Sequence, residues 1–260
     1  MKSKCKPAAA RSAARRQGTI LLAGVAVLLS GCVYSRLLTL KRQLADFDRF
    51  VELRTENGIV FDLRQPVATG PDIVRVSGLT PSAVTSTPDG EQWSYVYQGL
   101  SPGESGEVTN GVEIVFLLDF VSNRLARIEL PNANLTVFGR EFFASAARAM
   151  GAARVSPRAC TVQWNPADEA PPSAASTFTP EGLRPWLGPP LGGETNGPRP
   201  ALRYAFLLRA PEGSREGPAR TAANLFFSPD TGLLTGADFS GGRVRFVLDC
   251  GAGRPRDQGE

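Results

Sequence analysis

One offset constrains this chain more than any other feature. Residues 71 to 130, laid on residues 180 to 239 with a shift of 109 and no gap, put like on like: Pro71 on Pro180, Asp72 on Glu181, Val74 on Leu183, Arg75 on Arg184 and Pro81 on Pro190. Tyr95 then falls on Tyr204, Tyr97 on Phe206, Pro102 on Pro211, Leu125 on Leu234 and Glu129 on Asp238. The identities alone are few. What coincides is the order of helix, loop, strand, long loop, strand, turn and strand, so whatever the first stretch folds into, the second must fold into as well.

Hydrophobic spacing says what that unit contains. Leu37, Leu40, Leu44, Phe47 and Val51 recur at steps of three and four, predicting a helix from Arg36 to about Arg54. A β-type run follows at Gly58 to Leu63, then a short helix at Asp72 to Ser77 with a carboxylate in its first turn, where the helix dipole favours it. Trp93, Tyr95 and Tyr97 alternate with polar or smaller residues, the period of a half-buried strand. With Val112 to Leu118 and, after a turn at Ser122-Asn123, Leu125 to Leu130, this makes a three-stranded meander around a polar loop, Ser101 to Gly111. The second copy reads likewise. A helix stripe of Phe142, Phe143, Ala146, Ala147 and Met150 ends at Gly151, where a left-handed cap is expected. Val155 to Trp164 reads as strand, Asn165 to Thr179 as linker and Pro180 to Leu187 as a short helix. Strands follow at Leu202 to Leu208, Ala222 to Phe227, Leu233 to Phe239 and Arg243 to Leu248, with turns at Pro229 to Gly232 and Ser240-Gly241-Gly242. The expected fold class is α+β. Two similar modules, 36–138 and 139–250, each pack helices on a small antiparallel sheet of a three-stranded meander plus a further strand, and 251–260 is expected to be a disordered tail.

The first 31 residues are of another kind. Lys2, Lys4, Lys6, Arg11, Arg15 and Arg16 precede an apolar run, Thr19 to Leu29, with no acid among them. A basic stretch, a short apolar stretch and small residues make a secretory signal, and the run is shorter than the roughly 20 residues a spanning helix needs. Leu29-Ser30-Gly31-Cys32 resembles the lipobox of bacterial lipoproteins. That resemblance implies cleavage before Cys32, diacylglycerol on its sulfur, acylation of the new amino group, and a membrane anchor at 32–35 facing the periplasm. Val33 and Tyr34 follow where an inner-membrane retention aspartate would stand, which leans towards the outer membrane. Of 29 Lys and Arg, six precede Cys32, leaving 23 against 25 Asp and Glu, a net charge of −2. The high isoelectric point thus belongs to the signal, and nucleic acid drops out as a partner.

The repeated unit, with Leu187-Gly188-Pro189-Pro190, Leu202 to Phe206, Asn224 to Phe227 and Gly232-Leu233-Leu234, resembles the SmpA/OmlA (BamE-like) and BLIP-like α+β group of envelope proteins. The first copy carries Gly78-Leu79-Thr80-Pro81 and Trp93 to Tyr97 at the same places. The resemblance implies helices on one face of a three-stranded antiparallel sheet and a binding or scaffolding role.

Chemistry is poorly provided for. There is no histidine, which removes the commonest general base and every His-assisted nucleophile. No cysteine cluster suits a metal, no Gly-rich loop suits a phosphate, and the acids Glu113 and Asp119 have no spacing that pairs them; no catalytic residue, metal or cofactor is expected. Cys160 and Cys250, in an oxidising compartment and on the apolar sides of their strands, are a candidate disulfide. Two functions are expected in order: a lipid-anchored scaffold binding an envelope protein, and a carrier or sensor of an apolar ligand such as a lipid. A solid core favours the first. A continuous apolar cavity, with Trp93, Tyr95, Tyr97, Tyr204 and Phe206 as candidate lining, favours the second.

Overall fold

The computed structural model describes residues 33–101, 112–131, 139–155, 160–164, 178–194, 200–214 and 217–249. Residues 1–32, where the signal and Cys32 are expected, residues 250–260, most of the loop from Ser101 to Gly111 and most of the stretch from Asn165 to Thr179 lie outside them. Helix α1 (33–45) and a further turn, α2 (Phe47–Phe50), lead into a hairpin of β1 (Val51–Arg54) and β2 (Ile59–Leu63). The helix stops short of Arg54 because Val51 and Leu53 also fit period two: they are buried while Glu52 and Arg54 are exposed, and Val51 to Arg54 pair with Leu63 to Val60. Next come α3 (Gly70–Ser77), β3 (Ala83–Thr87), β4 (Gly90–Gly99), β5 (Glu113–Val121) and β6 (Arg124–Leu130). Then α4 (Gly139–Ala152), β7 (Arg154–Val155), β8 (Cys160–Trp164), α5 (Pro180–Leu187) and β9 (Gly192–Glu194) lead to β10 (Ala201–Leu208), β11 (Ala219–Phe227), β12 (Leu234–Gly241) and β13 (Val244–Asp249).

Two modules on two small sheets are not what this chain builds. The 13 strands among the described residues form one mixed sheet in the order β1-β2-β6-β5-β4-β10-β11-β12-β13-β8-β7, with β3 beside β4 and β9 beside β10. All pairings are antiparallel except β13 with β8. The join is β4 on β10, through Tyr97↔Leu208, Gln98↔Leu207 and Gly99↔Phe206. Each of these strands gives the first part of its outer edge to a short strand, β3 or β9, and the last part to the other. Left apart, both would present unpaired backbone donors and acceptors; joining satisfies both rows. Alternation fixes which face a residue takes, and is silent on which strand its edge will meet.

The join is also symmetric. Gln98 and Leu207, 109 residues apart, face one another. The flanking bonds, Leu100 N to Ala205 O and Arg209 N to Val96 O, are images under the same shift, each 2.9 Å. The shift is not uniform. Tyr97 pairs with Ile114 and Phe206 with Thr221, so β5 and β11 correspond at 107. A bulge between Asp119 and Phe120 recurs between Phe226 and Phe227 at that shift, and Leu125 and Leu234 restore 109. The gap-free alignment therefore misplaces β11 by two residues.

The sheet is rolled. From β5 to β12 are four strand spacings, roughly 19 Å if flat, and from β6 to β13 six, roughly 29 Å. Yet Ile114 and Leu130 line the same cavity as Phe239 and Leu248. Helix α4 packs on both β8 and β1, near opposite ends of the strand order, and bridges the trough. The inner face holds the cores: Tyr95, Leu118 and Phe120 in one half, Tyr204, Leu225 and Phe227 in the other, and Phe47, Val51, Ile59, Ala144 and Ala147 where α2 and α4 meet the first hairpin. The outer face carries charge. Asp62 accepts from Arg54 (Nη2, 2.5 Å) and Arg127 (Nε, 2.7 Å), and Asp238 from Arg245 (2.6 Å).

Candidate functional site

The trough is not filled by its own side chains. One cavity of about 310 Å³ is lined by apolar residues throughout: Ile114 and Phe116 of β5, Leu130, then Phe142, Phe143 and Ala146 of α4, and Leu183, Trp186 and Leu187 of α5, with Phe178, Leu225, Leu234, Ala237, Phe239, Phe246 and Leu248 closing it. A second, of about 410 Å³, shares Ile114, Phe116, Leu187, Phe239 and Phe246 and extends to Tyr97, Phe206, Leu79 and Ser77. The shared walls make them two compartments of one groove. Phe239, 37% exposed and common to both, marks where the groove meets solvent.

The lining follows from strand parity. Tyr97 lies opposite Ile114, Phe239 opposite Phe246 and Ala223 opposite Phe239, so one face receives apolar residues from strand after strand. The helices add their apolar stripes from above. Thr69 caps α3, and Thr179 caps α5 by accepting from the Gly182 amide at 3.2 Å. Neither compartment has a charged lining residue. Burial pushes the Tyr97 phenol up to about 12, so its hydroxyl stays neutral.

The first helix and the far hairpin frame this groove. Arg36 of α1 donates from Nε to Asp72 Oδ2 at 2.7 Å and from Nη2 to Oδ1 at 2.8 Å, a bidentate pair. Asp72, 1% exposed, also accepts from the Thr69 amide (3.0 Å) and hydroxyl (2.9 Å). Burial alone would raise the Asp72 carboxyl; the Arg36 guanidinium and the Thr69 donors outweigh it and hold it below its ordinary value. At the other end of α3 the tip of the β12–β13 hairpin docks. The Arg243 amide donates to Ser77 O at 2.7 Å and its Nη1 to Arg75 O at 3.3 Å. Gly242, at φ +56°, accepts the left-handed backbone of the turn, and any Cβ there would strike the Ser77 carbonyl.

The residues singled out from sequence distribute unevenly. Tyr97 and Phe206 line the groove; Tyr95 and Tyr204 are buried in the core, and half-buried Trp93 packs on Phe120 at 4.7 Å between centroids. Glu113 pairs with Arg209 (2.9 Å) and Asp119 accepts from Gln92 (2.8 Å), so each acid has its own partner and the two do not converge. No group of potential metal ligands occurs among the described residues. Cys160 lies opposite Val244 in the parallel pairing. Cys250 lies outside the described residues. Sequence reasoning missed Phe239 and Phe246 as lining; their parity with Tyr97 becomes visible only once β4 and β10 are known to share a sheet.

Comparison of the chain with protein-family models, curated proteins and solved structures finds no match to any of them.

Proposed function

We propose that this is a lipid-anchored cell-envelope protein that binds an apolar ligand, such as the acyl chain of a lipid, in the groove between the rolled sheet and helices α4 and α5. The observation that carries this reading is the continuous, charge-free lining of two adjoining compartments. Ligand sites for small molecules are concave, largely apolar and several hundred Å³ in volume. Protein cores do not leave such space without cause. A purely scaffolding role calls for no such space, so the groove moves the reading from scaffold to carrier. The role of Cys32 is to hold the carrier on its membrane.

The test is direct titration of the purified mature protein with the neutral fluorophore N-phenyl-1-naphthylamine, followed by displacement with a long-chain lipid. Saturable binding is expected, and Ala146→Trp, which pushes an indole into the first compartment, should weaken it by at least about tenfold, near 1.4 kcal/mol. Binding that does not saturate, or that survives Ala146→Trp unchanged in a folded protein, refutes the groove.

A further inference from the structure

We propose that the rim of the groove formed by the end of α3 and the β12–β13 hairpin is a membrane-docking surface for anionic lipid headgroups, so that the groove opens onto the leaflet that holds the anchor. The inference rests on the ligand-binding reading above and on lipid at Cys32.

Three observations converge on this rim. The first is its composition. Ser77 and Leu79 on one side, and Gly241 and Val244 on the other, line the second compartment where the hairpin meets α3. Beside them stand two exposed guanidinium groups, Arg75 and Arg243, with backbone and side chain of Arg243 bonded to the last turn of α3. Neither 73–80 nor 239–244 contains an acid. The second is position. Helix α1 is described from residue 33, the position after the proposed anchoring cysteine, and its Arg36 is clamped to Asp72 in the first turn of α3. Three residues of α1, one ion pair and five residues of α3 separate residue 33 from Ser77, a path on the order of 20 Å. With lipid on Cys32, so short a path from residue 33 keeps the rim near the surface into which the acyl chains insert. The third is charge balance. The chain after Cys32 carries a net −2, so attraction to an anionic surface has to come from a local basic patch. Apolar Leu79 and Phe239 at the same mouth give an acyl chain a dry path inward.

The experiment uses the whole mature chain with Cys32→Ser, which removes the anchor so that the rim alone decides binding. Co-sedimentation is measured with vesicles of phosphatidylcholine, with and without phosphatidylglycerol. Binding is expected only where phosphatidylglycerol is present, and salt should weaken it. The Arg75→Glu, Arg243→Glu double variant should bind at least about tenfold less, with Arg75→Glu alone, an exposed change that spares the hairpin, falling between. Binding of N-phenyl-1-naphthylamine should be unchanged in Arg75→Glu, which separates the rim from the groove behind it. Equal partition onto neutral and anionic vesicles, or charge reversals without effect, overturns the docking surface while leaving the groove standing. Failure of the fluorophore to bind the parent protein removes the groove, and the proposal with it.

Discussion

Replacing Asp72 by Asn keeps the shape of the side chain and deletes its charge where α1 is clamped to the first turn of α3. Asp72 accepts four hydrogen bonds, two from Arg36 and two from Thr69. The amide of Asn presents donors to at least one of those donors. Breaking a buried ion pair from one side costs about 3 to 5 kcal/mol when the stranded charge stays buried. The Arg36 side chain retains 22% exposure and recovers part of its hydration, so the lower end applies. Weakening the Thr69 cap adds about 0.5 to 1 kcal/mol. The expected loss is about 3.5 to 4 kcal/mol, or roughly 7 to 16 °C in Tm for a chain of this length. Urea unfolding followed by circular dichroism measures it, and the pH dependence checks its origin. The folded Asp72 carboxyl lies below its ordinary value, so its stabilisation is fully present above the unfolded value near pH 4 and is lost as pH falls through the lower, folded value. The parent should lose stability relative to Asp72→Asn over that acid window. A loss under about 1 kcal/mol at neutral pH, or parallel acid profiles, would show that the pair does not hold α1 in place.

Other outcomes are equally specific. Gly151→Ala should destabilise although alanine is the better helix former by about 1 kcal/mol, because a Cβ there collides with the Ala45 backbone; a neutral or stabilising result in thermal melts contradicts the α4–α1 contact. Thiol titration of denatured, unreduced mature protein should find Cys160 and Cys250 bridged, as an oxidising compartment favours, and two free thiols would end that pairing. Cys32→Ala should leave the chain unprocessed or soluble after cell fractionation, since acyl chains supply about 0.8 kcal/mol of membrane affinity per buried CH₂; membrane retention with unchanged cleavage would contradict the lipobox.

Local elements were legible because their signals are local. Period two at Trp93 to Tyr97, the turn at Ser122-Asn123, both at positive φ, and the helix at Pro180 to Leu187 emerge where their patterns place them. Gly151 misled because a glycine after an apolar stripe is ordinarily a cap. Here the helix runs on to Ala152, and the missing side chain serves the approach of α1. The short strands β3 and β9 lack a hydrophobic pattern, β3 being exposed at all five residues, and exist because β4 and β10 offer edges to pair with. Of the groove, only Tyr97 and Phe206 were within reach. Its lining joins residues as far apart as Ile114 and Leu248, brought together by the curvature of a sheet whose continuity hangs on three residue pairs at its centre.

Those three pairs carry a risk as well as a fold. An edge that matches its own image within one chain matches the same edge in any other copy. Should the β4–β10 seam open before the trough has closed, the first half of one molecule meets in a neighbour's second half the partner it has just lost, with the same Gln98-to-Leu207 register and no new contact required. Exchange of halves between two chains is therefore the misassembly this architecture invites. What protects the monomer is local concentration: a partner held in the same chain outcompetes one that must arrive by diffusion, until crowding during synthesis or refolding evens the contest.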